Sequence, residues 1–274
     1  MKKFTTDIHP PSGFSLGLKE LWQYRELFYF FSWRDIKVKY KQTYLGVFWA
    51  LLQPLGMMLL FTFIFSRTLN IQTGTIPYPV FVLSGLILWG LFNNSVSHAA
   101  ESMIQNANII KKVYFPRLVI PCSAILVAFF DFMMALLIFF ILCIWYKQPL
   151  SWNAILLIPS GIIFCAIAAF GLGTFFAALN IKYRDFRYVV PFLLQVLFFS
   201  AQIIYPLESI HRPLLKYLLA INPLNGAIEF FHAALNGISP DMNVVLISST
   251  VSLVMAVVGL FYFRKTEYYF ADIA

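Results

Sequence analysis

The sequence predicts an all-α polytopic membrane protein with six transmembrane helices, an N-terminal amphipathic interface helix and a re-entrant helical pair before the last span. Three observations lead there. Of 274 residues, 60% are apolar and 12% charged, whereas soluble domains carry about 25% charged residues. Too little polar surface therefore exists to cover a globule of this size. The apolar residues collect into runs of about 20, the length at which a helix crosses a hydrocarbon core. The 20 Lys and Arg residues fall between those runs in an alternating pattern. A net charge of +8 would suggest nucleic acid in a soluble protein. Here membrane topology accounts for the charge, and no nucleic-acid partner is expected.

Residues 1–44 read as a cytoplasmic N-terminal segment. They show no short apolar core ending in a small-residue cleavage site, so no cleavable signal peptide is expected. Tyr29, Trp33, Ile36, Tyr40 and Tyr44 recur at steps of three or four and share one helical face, while Arg34, Lys37 and Lys41 gather on another. Such a helix belongs among lipid headgroups, with Trp33, Arg34, Lys37, Lys39 and Tyr40 as its contacts. Two readings stay open: a positively charged anchor, or a surface helix that also touches a cytoplasmic partner.

Residues 45–263 form the six-span domain, with apolar runs at 45–66, 79–98, 118–146, 152–180, 190–205 and 243–263. The third and fourth are long enough to tilt, and the fifth is short for a full crossing. Pro121 and Pro191 sit in first turns, where a missing N–H costs little. Between the last two runs, stretches 214–221 and 227–235 are each too short to cross. They flank Asn222-Pro223-Leu224-Asn225-Gly226, a strong turn signal. Two short helices dipping into one leaflet fit residues 206–241, and backbone at that depth must be buried in protein or line a wet cavity. Residues 264–274 form the tail.

Orientation follows from the cations. Segments 1–44, 99–117, 181–188 and the tail hold sixteen Lys and Arg; the alternate loops hold only Arg67, Lys147, Arg212 and Lys216. Both termini are therefore expected in the cytoplasm. Loops 99–117 and 181–189 mix cations with aromatics directly against a span. Exposed aromatics make good docking knobs for another protein, although an aromatic belt with positive-inside charge explains any one of them equally well.

Chemistry is sparse. The chain lacks the P-loop pattern Gly-x-x-x-x-Gly-Lys-Ser/Thr, as well as His-Glu-x-x-His and Gly-x-Ser-x-Gly. Cys122, Cys143 and Cys165 are odd in number, lie in apolar segments and read as small buried hydrophobes. Glu229 and His232 stand three apart without a further ligand, so no metal site is expected. Asp131, in the middle of the third run, must face a partner helix or water; a role in transport and a simple interhelical bond fit it equally. With one deep acid and a large cytoplasmic docking surface, the balance favours a pathway-forming subunit driven from outside itself. The alternatives are an ion-coupled secondary transporter, which needs several midplane sites, and a membrane-embedded glycosyl or lipid transferase, which needs clustered acids. Asp35, Glu101 and Asp185 are scattered, and Asp35 and Asp185 each stand beside an arginine.

The run from Trp33-Arg34-Asp35-Ile36-Lys37-Val38-Lys39-Tyr40 through Tyr44-Leu45-Gly46 to Trp49-Ala50-Leu51-Leu52-Gln53-Pro54 resembles the signature of bacterial polysaccharide-export permeases. These are the membrane subunits of type-2 ATP-binding-cassette exporters for O-antigen, teichoic acid and capsule. Lys112-Val113-Tyr114-Phe115-Pro116-Arg117, 180–188 and Ile221-Asn222-Pro223-Leu224 are similar too, so the likeness runs from about residue 20 to the end. The resemblance implies a homodimer in the bacterial inner membrane, paired with two copies of a separate ATPase that holds ATP and Mg, and no cofactor in this chain. The cargo it implies is a polysaccharide, most readily O-antigen, on an undecaprenyl diphosphate-type lipid; a drug or another lipid is the alternative within the same family. It also implies roles. Gln105, Asn106, Asn108, Lys111, Lys112, Tyr114, Phe115, Pro116 and Arg117 would couple to the ATPase. Tyr183, Arg184, Asp185 and Arg187 would give a second cytoplasmic contact. Tyr205, Pro206, Asn222, Pro223 and Glu229 would form an outer gate.

Overall fold

A computed structural model of the protein describes residues 18–41, 48–69, 71, 73–210, 212–267 and 270. Tyr44 and the start of the first apolar run lie outside the described residues. Within them every regular element is helical. Two N-terminal helices, α1 (Leu18–Gln23) and α2 (Arg25–Lys41), precede α3 (Phe48–Phe61), which continues as a π-helical stretch over Thr62–Thr68. Next come α4 (Tyr78–Gln105), the short α5 (Ala107–Ile110), α6 (Val119–Trp145) and α7 (Ala154–Lys182). The chain closes with α8 (Phe186–Ser200), α9 (Pro213–Ala220), α10 (Pro223–Asn236) and α11 (Met242–Glu267).

Five of these are long and apolar enough to cross a membrane: α3 with its π-helical extension, α4, α6, α7 and α11. Where a sixth span was expected, α8 has 15 residues, about 22 Å of helix against a core of about 30 Å. Residues 201–206 continue it as turns that tuck Ala201, Ile203 and Ile204 into the core.

The centre of the bundle is α4, packed against α7, α6, α3, α8 and α10. It has the lowest mean hydropathy of the five spans, 1.5 against 2.8 for α6, and yet is the most buried. Lipid is as apolar as a leucine side chain, so the most hydrophobic helices belong at the rim and small or polar ones at the protein interface. Helices α7 and α11 cross at backbone contact. A Cβ on Gly171 would come within 2.5 Å of Met255 and Ala256, and one on Gly259 within 2.1 Å of the Gly171 carbonyl.

Local chemistry sets the ends of α10. Asn222 caps its start, accepting from the Leu224 N–H at 3.0 Å, Pro223 occupies the first turn, and Gly237 ends the helix in the left-handed region (φ 70°). Nine of the eleven residues from Pro223 to Ala233, all but Glu229 and Phe230, are buried, against α7, α11 and α4.

Candidate functional site

Polar side chains concentrate in three places. The first is the seam between α2 and α6. The hydroxyl of Ser32 donates to the Ser123 carbonyl at 3.4 Å, and seven residues later Lys39 pairs with Asp131. The two helices thus run side by side in the same direction, and Lys39 meets α6 about 18 Å beyond Val119. Tyr40 donates its hydroxyl to the other carboxylate oxygen of Asp131. A carboxylate at that depth requires a cation and a donor, and α2 supplies both. Lys39 and Tyr40, expected among headgroups, therefore reach α6, although Lys39, like Trp33 and Lys37, stays exposed. The stripe that pairs Tyr29 with Trp33 (rings 6.3 Å apart) turns away from the bundle; Phe31 and Ser32 are the buried residues of α2.

The second place is the end of the bundle where Arg34, Lys112, Arg117, Arg187 and Arg264 gather, here termed the basic end. The nine residues expected to couple to an ATPase divide there. Gln105, Asn108, Lys111, Lys112 and Tyr114 are exposed, whereas Asn106, Phe115 and Pro116 are buried and Arg117 is half-buried. Asn106 accepts from Arg34 at 2.9 Å and donates to the Ser102 carbonyl at 2.8 Å. Phe115 packs on Phe31, with ring centroids 5.9 Å apart. The Arg117 N–H donates to the Glu267 carboxylate at 3.0 Å, and its guanidinium donates to the Glu267 carbonyl. Arg264 completes the cluster at 2.8 Å from Glu267. The loop therefore presents one outward face on a base clamped to α2 and α11. Tyr183, Arg184 and Asp185 are exposed in the short connection from α7 to α8, and Arg187 is exposed in the first turn of α8.

The third place is the opposite end, around α9 and α10. Gln202 donates its backbone N–H to the Asn225 side chain at 2.8 Å and its amide to the Asn225 carbonyl at 2.7 Å and to Glu229 at 3.1 Å. Glu229 also accepts from the Asp241 N–H at 3.0 Å. Asn222 donates to the Leu197 carbonyl at 2.7 Å and to Ser200 at 2.9 Å, fastening the turn to α8. Ser248 of α11 donates to the Asn222 carbonyl and accepts from the Gly226 N–H. Tyr205 is half-buried and donates to the Phe199 carbonyl at 3.0 Å; Pro206 is half-buried beside it. Lys216 and Asp241 form an ion pair at 2.7 Å. The hydrogen bond that Lys216 donates to Asp241, with the charge of that carboxylate, raises the Lys216 ammonium above the usual lysine range. Burial pushes the Asp241 carboxyl up, but the Lys216 and backbone N–H bonds outweigh it and hold it below the usual carboxylate range.

Sequence reasoning placed Asn222, Pro223 and Glu229 in this third cluster but missed Gln202, Asn225 and Glu267. The signal for the first two was an amide side chain in an otherwise apolar stretch. Glu267 carried a weaker one, an acid three residues beyond Arg264 at a helix end. Among the described residues no three His, Cys, Asp or Glu side chains gather as metal ligands. His232 instead stacks on Phe81, ring centroids 4.1 Å apart.

The sequence is 30% identical over 241 residues to the O-antigen export system permease protein RfbA of Klebsiella pneumoniae, covering 88% of this chain and 92% of the relative. A Myxococcus xanthus protein of the same name is 28% identical over 92% of this chain and 97% of its own. The polysialic acid transport protein KpsM of Escherichia coli is 28% identical over 73% of this chain and 78% of the relative. The sequence model described as ABC-2 type transporter matches residues 26–236. With that match spanning well over half of an all-helical, multi-span chain, the protein belongs to the ABC-2 type transporter family of membrane permeases.

Proposed function

We propose that this chain is the permease subunit of an exporter that moves a lipid-linked polysaccharide, of the O-antigen type on an undecaprenyl diphosphate-type carrier, out of the cytoplasm. The observation that carries the reading is the likeness to two O-antigen export permeases over about nine-tenths of both chains. The polysialic acid transport relative matches over a smaller share, so O-antigen is the preferred cargo. The working unit is a homodimer in the bacterial inner membrane with both termini in the cytoplasm, which puts the basic end inside as the positive-inside bias requires. Because the sequence carries no P-loop, energy comes from a separate ATPase that binds ATP and Mg. Its dock is the outward face of the loop: Lys111, Lys112 and Tyr114 stand exposed on a base held by Phe31, Arg34 and Glu267. A rigid base under an exposed aromatic and two cations suits transfer of a push into the bundle.

Co-expression with the ATPase encoded beside it tests this. The expected result is a stable complex that restores surface polysaccharide in an export-deficient strain. Changing Lys111, Lys112 and Tyr114 together to Ala should abolish hydrolysis coupled to export and leave the permease folded. A chain that purifies alone, binds no ATPase and moves cargo on a proton gradient would overturn the reading in favour of a secondary transporter.

A further inference from the structure

The accessible face of a spanning helix reports what surrounds it. On α6, α7 and α11 that face is apolar, as at Leu137, Ile141, Ile155, Ile163, Leu253 and Val257. Half of α4 reverses the pattern. From Asn93 to Gln105 the positions that are not buried are Asn93, Asn94, Ser97, His98, Glu101, Ile104 and Gln105, all polar but one. At about 100° per residue they occupy a single arc of about 140°. One turn further from the basic end, Gly90 sits at the centre of the same arc, and a Cβ built there meets nothing within 4 Å. Beyond Gly90 the arc closes, since Leu83, Leu86 and Ile87 on that bearing are buried. There α3, α4 and α8 draw together through aromatic contacts of Phe198 with Phe61 (6.0 Å) and Trp89 (5.2 Å). On the other flank His98, Ser102 and Gln105 join Arg34, Asp35 and Lys39 around a cavity of about 260 Å³.

The polar arc runs about 22 Å from Gln105 to Gly90, roughly half of α4. Lipid cannot satisfy amide, imidazole and carboxyl groups at that depth, so polar side chains in a span face protein or water. Two of the bonds they make stay within the face, Asn93 to Asn94 at 3.5 Å and Gln105 to Glu101 at 3.1 Å. The face therefore offers its remaining donors and acceptors outward.

We propose that this arc of α4 is the wall of a water-filled vestibule open at the basic end, and that the saccharide part of the cargo is held against it by hydrogen bonds. The inference deepens the proposed function and rests on it. The chemistry selects the ligand class. Amides, a hydroxyl and an imidazole, with one carboxylate already bonded by Gln105, match the hydroxyl groups of a sugar chain. A diphosphate would need unpaired cations and an acyl chain an apolar lining. The Trp89 and Phe198 rings at the closed end supply stacking faces for a sugar ring, and many weak contacts permit passage instead of trapping.

The test uses the permease–ATPase complex in inverted membrane vesicles, with Cys122, Cys143 and Cys165 first replaced by Ala. Asn94→Cys, Ser97→Cys and His98→Cys are then reacted singly with a membrane-impermeant maleimide. Each should label about tenfold faster than Leu137→Cys or Ile141→Cys, because the reactive thiolate forms in water. The paired variant Asn94→Leu/Ser97→Val should lower export about fivefold or more, as loss of a hydrogen bond to the chain predicts, with complex yield unchanged. Gly90→Trp, pointing into open space, should fold normally and block export. Labelling at Asn94→Cys and Ser97→Cys as slow as at the lipid-facing controls would mean that lipid or a second copy covers the arc. That overturns the vestibule, while export by the unmodified complex keeps the proposed function standing. Fast labelling with undiminished export by Asn94→Leu/Ser97→Val and Gly90→Trp would overturn the saccharide contact.

Discussion

Removing the Lys39 ammonium should destabilise the bundle by more than removing both members of its ion pair. Asp131 is 8% exposed and lies well inside α6, and its charge is compensated by Lys39 and Tyr40. Breaking a buried pair from one side costs about 3–5 kcal/mol. Two features lower that figure here. The Lys39 side chain keeps 37% of its surface open, which screens the pair, and Tyr40 still donates after Lys39 is gone. For Lys39→Met we therefore expect a loss of about 2–3 kcal/mol, at or below the bottom of the range. Asp131→Leu removes the charge that needs compensation and should cost about 1 kcal/mol, and the double variant should fall near Asp131→Leu alone. The coupling energy of the cycle is then about 2 kcal/mol. The four proteins would be compared by the folded fraction in mixed micelles of increasing SDS content. A Lys39→Met loss below about 0.5 kcal/mol, additive with Asp131→Leu, would refute the argument, because contacting residues in one network do not add.

Two further perturbations read the opposite end of the bundle. Asn222→Ala removes the cap of α10 and two donated bonds, for a combined loss of about 2–4 kcal/mol. Asn222→Asp keeps the acceptor for Leu224 and should cost about half of that in the same micelle titration, and equal losses for the two variants would sink the assignment of separate roles. The Lys216–Asp241 pair sets a pH window through groups shifted in opposite directions. The depressed Asp241 contributes stability above the usual carboxylate range that disappears as pH falls through its lowered pKa. The raised Lys216 contributes stability below the usual lysine range that disappears as pH rises through its raised pKa. The plateau between them should fall by about 0.5–1 kcal/mol in Lys216→Met. The same variant should flatten the acid limb of a melting-temperature profile, and an acid limb identical to the parent's would show that Asp241 titrates without its partner.

What the sequence made legible was set by how strongly each signal is constrained. Runs of about 20 apolar residues admit one interpretation, which is why α3, α4, α6, α7 and α11 could be placed in advance. The Asn222-Pro223 start of α10 was equally plain, because few residues cap a helix and proline fits only its first turn. The packing face of α2 was not legible. Its aromatic stripe of Tyr29 and Trp33 marks a face, but a helix beside a bilayer can bury aromatics in lipid as well as in protein, and Phe31 and Ser32 proved to be the ones that pack. Nor did the sequence identify which of residues 105–117 face outward, since Tyr114 and Phe115 differ in fate through a turn that only tertiary contact with Phe31 and Glu267 determines. The centrality of α4 ran against hydropathy itself, which in a membrane ranks exposure to lipid and not burial in protein.

The contacts of α11 bear on how the two ends of the molecule communicate. At the basic end Glu267 holds the backbone and guanidinium of Arg117, at the foot of the exposed loop. Nineteen residues earlier, about 28 Å along the same helix, Ser248 bridges the Asn222 carbonyl and the Gly226 N–H at the turn that opens α10. Between those points Gly259 crosses Gly171 of α7 with no side chain to cushion the contact. A helix fixed at both ends by directional bonds and pressed against its neighbour in the middle resists bending, because close-packed contacts offer discrete arrangements in place of gradual deformation. Under the proposed function, a push on the exposed loop would reach Asn222 through this one continuous element, with Gly171–Gly259 as its pivot. Gly259→Ala, which cannot be accommodated without separating α7 from α11, should accordingly disturb both ends at once.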